Sequence, residues 1–310
     1  MLCSVVLPTY NGQDWITRSV NSILAQSFTN FELIIIDDGS SDNTFEILKK
    51  FKDKRIKLFR QNNRGLAKTL NIGIKISRGK YIFRQDQDDI SFPNRFMEQI
   101  VVMEKKRDLG FLGTWAEILN ESRIVRRFHK HPVDANAINY FLLFSNPFVH
   151  SSMILRKNKL TEVNGYSEDL KFQPPEDYHL WSKLARICKG ENLPKILVQY
   201  QETKSSMSRN GNNPFLNNAI KISAENLIYA ANLKKNNIDA FCLASLLFGK
   251  NINSDVQINF KNMKKIWFKA CLRVSQRNPK IFVHAFFKFK ISQWLYLVKS
   301  NVLGKTFLLK

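Results

Sequence analysis

The chain contains few of the residues that build fibrous or disulfide-rich proteins. Its 12 glycines and 9 prolines, among 310 residues, exclude a collagen-like or low-complexity chain. The four cysteines are widely scattered and none has the spacing of a zinc or redox pair, so they fit a reducing compartment. Acidic residues are also scarce: 26 Asp and Glu stand against 48 Lys and Arg, which leaves a net charge of +22.

The sequence also has no long apolar run. No basic stretch precedes the first apolar segment, which Pro8 ends early, so we expect no signal peptide. The longest candidate span, residues 281–298, is interrupted by one histidine and two lysines and is not expected to cross a bilayer. We therefore expect a protein that is made and kept in the cytoplasm.

Short apolar runs alternate with helical patterns over the first hundred residues. Hydrophobic residues make up 44% of the chain, which is enough to bury a sizeable core. Four of the runs predict strands, at residues 3–7, 32–37, 55–59 and 81–83, and the first two are expected to be buried. Strand–helix alternation with short connections predicts an α/β fold with a mostly parallel, Rossmann-like sheet flanked by helices.

Polar residues follow three of the predicted strands. The clusters are Thr9-Tyr10-Asn11, Asp37-Asp38-Gly39-Ser40 and Asp86-Gln87-Asp88-Asp89. In open α/β sheets ligands bind at the carboxyl ends of strands, so the clusters predict a binding edge. The chain has neither a Gly-x-Gly-x-x-Gly fingerprint after the first strand nor a Gly-x-x-x-x-Gly-Lys-Ser/Thr loop. These absences exclude a dinucleotide dehydrogenase and an ordinary P-loop enzyme.

Asp86 and Asp88 form a D-x-D motif directly after a predicted strand. Carboxylates this close repel one another unless a cation lies among them. Mg²⁺ and Mn²⁺ prefer oxygen ligands and bridge carboxylates to substrate phosphates. We therefore expect a divalent cation here, with a solvated acidic turn as the alternative. Asp38, at the end of another strand, is placed to accept a hydrogen bond from a nucleotide base or to cap the next helix.

Several segments occur in the order found in family 2 glycosyltransferases of the GT-A fold, and residues 1–205 resemble that family. The segments are SVVLPTYNG, IIIDDGSSDNT, NRGLAKTLNIGI, RGKYIFRQDQDD, FPNRF, NPFVHSSMILRK with NGY, and PPEDYHLW. The resemblance implies a GT-A catalytic domain at 1–205, with a nucleotide-binding half at 1–115 and an acceptor half at 116–205. A helical, basic region would follow at 206–310.

The resemblance implies an inverting glycosyltransferase that uses Mn²⁺ or Mg²⁺. It would move one hexosyl or N-acetylhexosaminyl unit from a nucleoside-diphosphate sugar, UDP-linked, to a hydroxyl of a glycan or lipid-linked acceptor. The products it suggests are bacterial surface polysaccharides such as O-antigen, capsule or lipopolysaccharide. The Q/R-x-x-R-W pattern of processive synthases is missing after residue 177, which favours one sugar per event.

The resemblance also implies which residues bind the nucleotide and the metal. Those at the nucleotide would be Pro8, Thr9, Tyr10, Asp38, Gly65, Lys68 and Asp86. Residues 8–10 would line the base pocket, Asp38 would bind the base and Asp86 would lie near the ribose. Asp88 would be the more direct metal ligand, and Asp86 would be the second carboxylate of the metal site.

The acidic pair Glu176-Asp177 would supply the catalytic base. An acceptor hydroxyl is a poor nucleophile and needs a carboxylate to take its proton, a role that the resemblance assigns to Asp177. One base opposite the leaving group gives single displacement with inversion. The alternative for Asp177 is a negative charge placed at a helix N-terminus to match the helix dipole.

Over half of the excess charge lies in the last fifth of the chain. Residues 249–310 contain 13 Lys and Arg but one acid, Asp255, for a net charge of +12. One side of a helical wheel groups Val283, Phe287, Ile291, Trp294 and Val298. Another side groups Lys288, Ser292 and Lys299. The pattern predicts contact of residues 260–310 with an anionic membrane surface, peripheral on the inner face of the cytoplasmic membrane. Packing on the catalytic domain and a homodimer contact are the alternatives.

Two other functions fit parts of the pattern. A metal-dependent nucleotidyltransferase would also use a parallel sheet and a D-x-D, but it usually has a glycine-rich basic loop after its first strand, and residues 9–12 supply none. A basic nucleic-acid-binding protein would explain the basic, aromatic tail but not the carboxylate-lined edge. We therefore expect a nucleotide-sugar donor and a glycan or lipid-linked acceptor as partners, and no nucleic acid.

Overall fold

A computed structural model of the chain describes residues 2–120, 122, 124–202, 214–252, 258–276 and 278–307. Side chains are described up to residue 297, with the exception of residue 126. The expected domain boundary at residue 205 and the side chains of Val298 and Lys299 lie outside this part of the chain.

The described residues contain nine strands. In chain order they are β1 (Cys3–Thr9), β2 (Phe31–Asp37), β3 (Ile56–Arg60), β4 (Tyr81–Arg84), β5 (Ile90–Ser91), β6 (Leu109–Leu119), β7 (Val125–His129), β8 (Ile154–Arg156) and β9 (Lys189–Gln201). The first four confirm the strands predicted from the apolar runs. The local pattern does not predict β9, because Pro194 interrupts it, and the pairing of β9 with β6 shifts register beside that proline.

Eleven helices accompany these strands in the same described ranges. They are α1 (Ile16–Leu24), α2 (Thr44–Lys49), α3 (Leu66–Ile76), α4 (Arg95–Lys105), α5 (Ala135–Phe141), α6 (Lys157–Glu162), α7 (Glu176–Leu184), α8 (Phe215–Ala231), α9 (Ile238–Leu247), α10 (Phe260–Ser275) and α11 (Pro279–Phe307). Single 3₁₀ turns are present at His150–Ser152 and Leu170–Phe172.

The strands form one sheet in the order β3-β2-β1-β4-β8-β6-β9-β5, with β7 beside β6. The first four strands are parallel, with Thr9 opposite Asp37 and Val6 opposite Arg84. This half confirms the Rossmann-like expectation. The other half is mixed, because β8 runs antiparallel to both β4 and β6 whereas β6 and β9 are parallel. The carboxyl ends of β1, β2 and β4 consequently meet at one edge.

The chain divides into two compact units. An α/β unit comprises Met1–Ala135 and Pro147–Asn212, and a helical unit comprises Asn136–Asn146 and Asn213–Lys310. In the α/β unit, buried apolar side chains of the sheet pack against α1 and α4, and the rings of Phe83 and Phe96 stack with centroids 4.0 Å apart. This packing removes apolar surface from water and holds the sheet edge in place.

The helical unit includes a segment that the sequence analysis placed in the acceptor half. Within Asn136–Asn146, the Leu142 carbonyl accepts a hydrogen bond from Asn226 on α8 at 2.7 Å, and the Tyr140 hydroxyl lies 2.8 Å from His284 Nδ1 on α11. Trp267 on α10 is fully buried and donates to the Ala285 carbonyl at 2.8 Å. The helical unit is therefore built from two separate stretches of the sequence.

One face of α11 is apolar and exposed. This α11 stripe consists of Val283, Phe286, Phe287, Ile291, Trp294, Leu295 and Leu297, and Trp294 is 62% exposed. Ser292 is buried, and Lys288 is half-buried with Nζ 5.0 Å from the centre of the Phe144 ring. No helix in the described ranges has both the length and the apolar character needed to cross a bilayer.

Candidate active site

Hydrogen bonds join the loops that follow β1 and β2. The Asp38 N–H donates to the Thr9 carbonyl at 2.8 Å, and the Asn11 N–H donates to the Ser40 hydroxyl at 2.9 Å. Pro8 is buried within β1 and Thr9 is buried at its end. The polar clusters expected after the first two strands therefore lie side by side.

Asp38 fixes the loop that leads into α3. Its carboxylate accepts hydrogen bonds from Gln61 Nε2 at 2.7 Å and from the backbone N–H groups of Arg64 and Gly65, both at 2.9 Å. Gly65 has φ +86°, a conformation that favours glycine, and α3 begins at the next residue. The structure thus brings Gly65 to Asp38, while Lys68 is exposed on the first turn of α3.

Gln87, the central residue of the D-x-D, connects this motif to the end of β1. Its Oε1 accepts from the Thr9 hydroxyl at 2.6 Å and from the Tyr10 N–H at 2.9 Å, and its Nε2 donates to the Tyr10 carbonyl at 3.2 Å. A Cβ on Gly12 would lie 2.4 Å from the same Oε1, so this position has to remain glycine for the contact to form. Gln87 brings residues 9–10 next to the D-x-D.

The two carboxylates of the D-x-D have different surroundings. Asp86 accepts a hydrogen bond from Arg84 on one oxygen and from the Ser151 hydroxyl on the other. Burial raises the pKa of Asp86, but the Arg84 charge and these hydrogen bonds outweigh it and lower the pKa below its usual value. Burial and the charge of Asp86 instead raise the pKa of Asp88 to about 7. Of the two, Asp88 therefore carries the charge that the surrounding protein compensates less.

Arg95 on α4 supports the D-x-D loop from the inside of the fold. The side chain is fully buried, and its guanidinium donates to the side chains of Gln85, Ser91 and Gln99 and to the carbonyls of Arg84 and Met153, at 2.7 to 3.2 Å. Burial lowers the pKa of Arg95 to about 9. Five hydrogen bonds from one side chain hold β4 and the following loop in one arrangement.

The acidic pair occupies the first turn of α7. Glu176 is buried, with Oε1 3.9 Å from His150 Nδ1, and burial together with the Asp177 charge raises the pKa of Glu176 to about 7. Asp177 is half-buried and accepts a hydrogen bond from the Tyr178 N–H at 2.7 Å. The pair therefore combines a buried carboxyl with a neighbouring, more accessible one.

His150 connects the acidic pair to the D-x-D. Its Nε2 accepts from Arg84 Nε at 3.2 Å and lies 2.7 Å from the Tyr166 hydroxyl. Tyr166 is in turn fixed by Asn71 on α3, whose side-chain amide pairs with both the N–H and the carbonyl of Tyr166 at 2.9 Å. Arg84 thus joins Asp86 to His150 by hydrogen bonds, and His150 in turn lies next to Glu176.

Four residues at this site have no assigned role in the sequence analysis. They are Arg84, Gln87, His150 and Ser151. Each lies inside a segment that resembles the family, which is the one signal the sequence offers for them. The contacts of Gln87 with Thr9, of Arg84 with His150 and of Ser151 with Asp86 join residues more than 60 positions apart, and no local pattern predicts such pairs.

The oxygen-rich D-x-D fits a small divalent cation. Burial and the charge of Asp86 raise the pKa of Asp88, and a bound cation would offset both effects. Among the described residues no cluster of three or more His, Cys, Asp or Glu side chains is arranged to hold a metal. A cation at Asp88 would therefore depend on phosphate and water ligands, as is common for Mg²⁺.

Comparison with known proteins identifies the family. The family model described as Glycosyl transferase family 2 matches residues 4–164. An uncharacterised glycosyltransferase of Haemophilus influenzae is 30% identical over 313 residues, covering 97% of this chain and 94% of that protein. The chain belongs to glycosyltransferase family 2. It is an enzyme of the glycosyltransferase class, as the resemblance of its motifs implies.

Two further similarities give the fold and a relative with a specific name. The UDP-Glc:alpha-D-GlcNAc-diphosphoundecaprenol beta-1,3-glucosyltransferase WfgD of Escherichia coli is 34% identical over 216 residues, covering 67% of this chain and 80% of WfgD. The crystal structure of S. aureus TarS in complex with UDP-GlcNAc superposes with a TM-score of 0.65 at 20% identity, covering 98% of this chain and 92% of that one. The family 2 chain therefore has the GT-A fold, followed by a helical C-terminal region.

Proposed function

We propose that the enzyme transfers one sugar from a nucleoside-diphosphate sugar, UDP-linked, to a hydroxyl of a glycan or lipid-linked acceptor, with inversion at the anomeric carbon. The observation that carries the proposal is that Arg84 bonds both Asp86 and His150, which places Asp86 and Glu176 on either side of one pair of linked residues. This arrangement places a D-x-D suited to a diphosphate near an acidic pair suited to an acceptor hydroxyl. In this proposal residues 1–115 bind the nucleotide and residues 116–205 serve the acceptor.

The donor would bind along the edge formed by β1, β2 and β4. Thr9 and Tyr10, next to the buried Pro8, would line the base pocket, and Asp38 with Gly65 would hold the base side of the nucleotide. The carboxylate of Asp38 already accepts three hydrogen bonds from residues 61–65. Its direct contact with the base would use the remaining acceptor capacity, since a carboxylate offers about four acceptor sites. The exposed Lys68 would contribute positive charge near the phosphates.

Asp177 would act as the catalytic base. It would take the proton of the acceptor hydroxyl as the new bond to the anomeric carbon forms, while the nucleoside diphosphate leaves from the opposite face. Asp88, with Asp86 beside it, would hold Mn²⁺ or Mg²⁺, which when bound stabilises negative charge on the leaving diphosphate. Glu176, buried next to the base, would orient a substrate hydroxyl.

The relatives suggest the chemical class of both substrates. The name of WfgD gives a UDP-sugar donor and a lipid-diphosphate acceptor, and TarS binds UDP-GlcNAc. By analogy we propose a UDP-hexose or UDP-N-acetylhexosamine donor and a lipid-linked glycan acceptor, in the synthesis of a bacterial surface polysaccharide such as O-antigen, capsule or lipopolysaccharide.

A panel of sugar nucleotides tests the proposed donor. Purified protein with Mn²⁺ should be stabilised against heat by one nucleoside diphosphate and its sugar derivatives, because a ligand that binds the folded state raises the melting temperature. Asp88→Asn should lose this stabilisation, whereas Asp108→Asn, which changes an exposed acid, should keep it. Stabilisation by an oligonucleotide alone would contradict the proposal and favour a nucleic-acid-binding protein. Turnover of nucleoside triphosphate with release of pyrophosphate would favour a nucleotidyltransferase.

The helical unit would hold the enzyme at an anionic membrane surface through residues 260–310. The α11 stripe is exposed, and Lys280 and Lys290 are exposed on the same helix. Exposed apolar side chains interspersed with lysines match an interface with apolar lipid tails below and anionic headgroups above. The stripe would thus bring the enzyme to a lipid-linked acceptor on the cytoplasmic face of the membrane.

Vesicle binding tests this membrane contact. Wild-type protein should sediment with vesicles that contain phosphatidylglycerol and should be released by salt, because salt screens the attraction between lysines and headgroups. Trp294→Glu should abolish sedimentation, while Val101→Glu, which changes a similarly exposed apolar residue on α4, should not. Self-association of the wild type without vesicle binding, abolished by Trp294→Glu, would instead make the stripe a homodimer contact.

A further inference from the structure

His150 lies between the two groups of carboxylates in the candidate active site. Its Nε2 is 3.2 Å from Arg84 Nε and 2.7 Å from the Tyr166 hydroxyl. Its Nδ1 is 3.9 Å from Glu176 Oε1 and 3.5 Å from Arg84 Nη2. The imidazole therefore contacts the partner of Asp86 on one side and faces the acidic pair on the other.

The donors around the ring decide which nitrogen carries the proton. A guanidinium has only N–H donors, so Nε2, the ring nitrogen nearest to Arg84, has to offer its lone pair. The Tyr166 hydroxyl is placed to donate to the same nitrogen. Burial and the positive charge of Arg84 hold the pKa of His150 well below its usual range, so the ring is neutral and has one proton. With Nε2 as acceptor, that proton is on Nδ1.

We infer that His150 is a positioning residue of the transfer reaction, held by Arg84 and Tyr166 as the neutral Nδ1–H tautomer so that its N–H is directed at the Glu176 carboxylate. The link to transfer rests on the proposed function, whereas the tautomer is a property of the protein alone. An N–H directed at Glu176 stabilises the ionised carboxylate and limits its orientation. The same ring accepts from the guanidinium that binds Asp86, so one residue orients both acidic groups.

Nitrogen NMR of histidine-labelled wild-type protein measures the tautomer directly. The spectrum of His150→Gln, which lacks one set of signals, assigns His150 among the five histidines. We expect a protonated Nδ1 and an unprotonated Nε2 near neutral pH. The opposite tautomer would mean that Arg84 Nη2 donates to Nδ1 and that Tyr166 accepts from Nε2, and it would overturn the inference. A doubly protonated ring would overturn it as well.

Three substitutions of His150 test the roles of its two ring nitrogens separately. His150→Asn keeps an N–H near the Nδ1 position, His150→Gln keeps an acceptor near the Nε2 position, and His150→Phe keeps neither. We expect His150→Phe to lose roughly 10- to 100-fold in kcat/KM. His150→Asn should recover kcat through Glu176, and His150→Gln should recover the donor KM through Arg84 and Asp86.

The outcomes distinguish this inference from the proposed function. Equal losses of kcat/KM in all three variants, with no difference between the effects on kcat and on KM, would mean that His150 acts only through packing. This result would contradict the inference. If NMR shows the Nδ1–H tautomer but the protein transfers no sugar from any donor, the tautomer assignment stands and the proposed function is refuted instead.

Discussion

The amide oxygen of Gln87 accepts a hydrogen bond from the Thr9 hydroxyl at 2.6 Å, across 78 residues of sequence. The Tyr10 N–H donates to the same oxygen at 2.9 Å. The middle residue of the D-x-D therefore connects this motif to the end of β1, which in the proposed function are the metal side and the base side of the donor site. An amide suits this position because it accepts and donates at the same time.

Gln87→Ala should weaken nucleotide binding without unfolding the enzyme. The substitution removes three hydrogen bonds that orient Thr9 and Tyr10, but Gln87 is half-buried, so we expect the free energy of unfolding to fall by no more than about 1 kcal/mol. The dissociation constant for the nucleoside diphosphate should rise about tenfold, equivalent to ~1.4 kcal/mol. Calorimetric titration measures it, with Gln293→Ala in the helical unit as control. An unchanged affinity of Gln87→Ala for the nucleoside diphosphate would show that Gln87 does not contribute to nucleotide binding.

Arg95→Lys should destabilise the α/β unit. A lysine has three N–H donors and no planar fork, so it leaves some of the five buried acceptors of Arg95 without partners. We expect a loss of about 3 kcal/mol in the free energy of unfolding, from urea denaturation. Arg107→Lys, which changes an exposed arginine, is the matched control. Equal stability of the two variants would show that Arg95 does not support the loop.

Glu176→Gln should change how stability depends on pH. The folded-state pKa of Glu176 is raised from 4.5 to about 7, so between these values the folded protein keeps a proton that the unfolded chain releases. The contribution of Glu176 to stability is therefore fully present below pH 4.5 and is lost as pH rises to about 7. Above that pH the ionised, buried carboxylate costs up to about 3 kcal/mol.

The test compares urea denaturation of the wild type and Glu176→Gln from pH 5 to pH 8. Glutamine has no charge to bury, so the free energy of unfolding of the variant should exceed that of the wild type most at the highest pH. The difference between the two proteins should become smaller towards the lowest pH. Glu162→Gln on α6, an exposed substitution, should show no such trend. Parallel curves for the wild type and Glu176→Gln would contradict a raised pKa at this residue.

The sequence predicts the strands and acidic residues of this site better than the strand pairing and hydrogen bonds that join them. Apolar runs locate β1 to β4, and the rule that ligands bind at strand ends locates Asp38, Asp86 and Asp88 at one edge. Local patterns do not predict the mixed half of the sheet, because β8 and β9 find partners far away in sequence. For the same reason the links formed by Arg84 and His150 emerge only when the chain folds.

The organisation of the helical unit shows a similar limit. The helical wheel correctly separates the exposed Phe287 and Trp294 from the buried Ser292, since both sides belong to one continuous helix. It gives no information about the segment Asn136–Asn146, which joins the helical unit through Leu142 and Tyr140. When a segment packs against a later part of the chain, its own local sequence pattern does not predict that packing partner.

Asp177→Asn tests the central claim most directly. An asparagine fills the same space but does not take a proton, so transfer from the matched UDP-sugar should fall by about 10²- to 10⁴-fold, the usual contribution of a general base. Affinity for UDP with Mn²⁺ should stay close to wild type, because the substitution leaves the D-x-D untouched. Asp169→Asn, an exposed acid in the turn before α7, should transfer normally. A rate near wild type in Asp177→Asn, with stereochemical inversion retained, would contradict the assignment of Asp177 as the base.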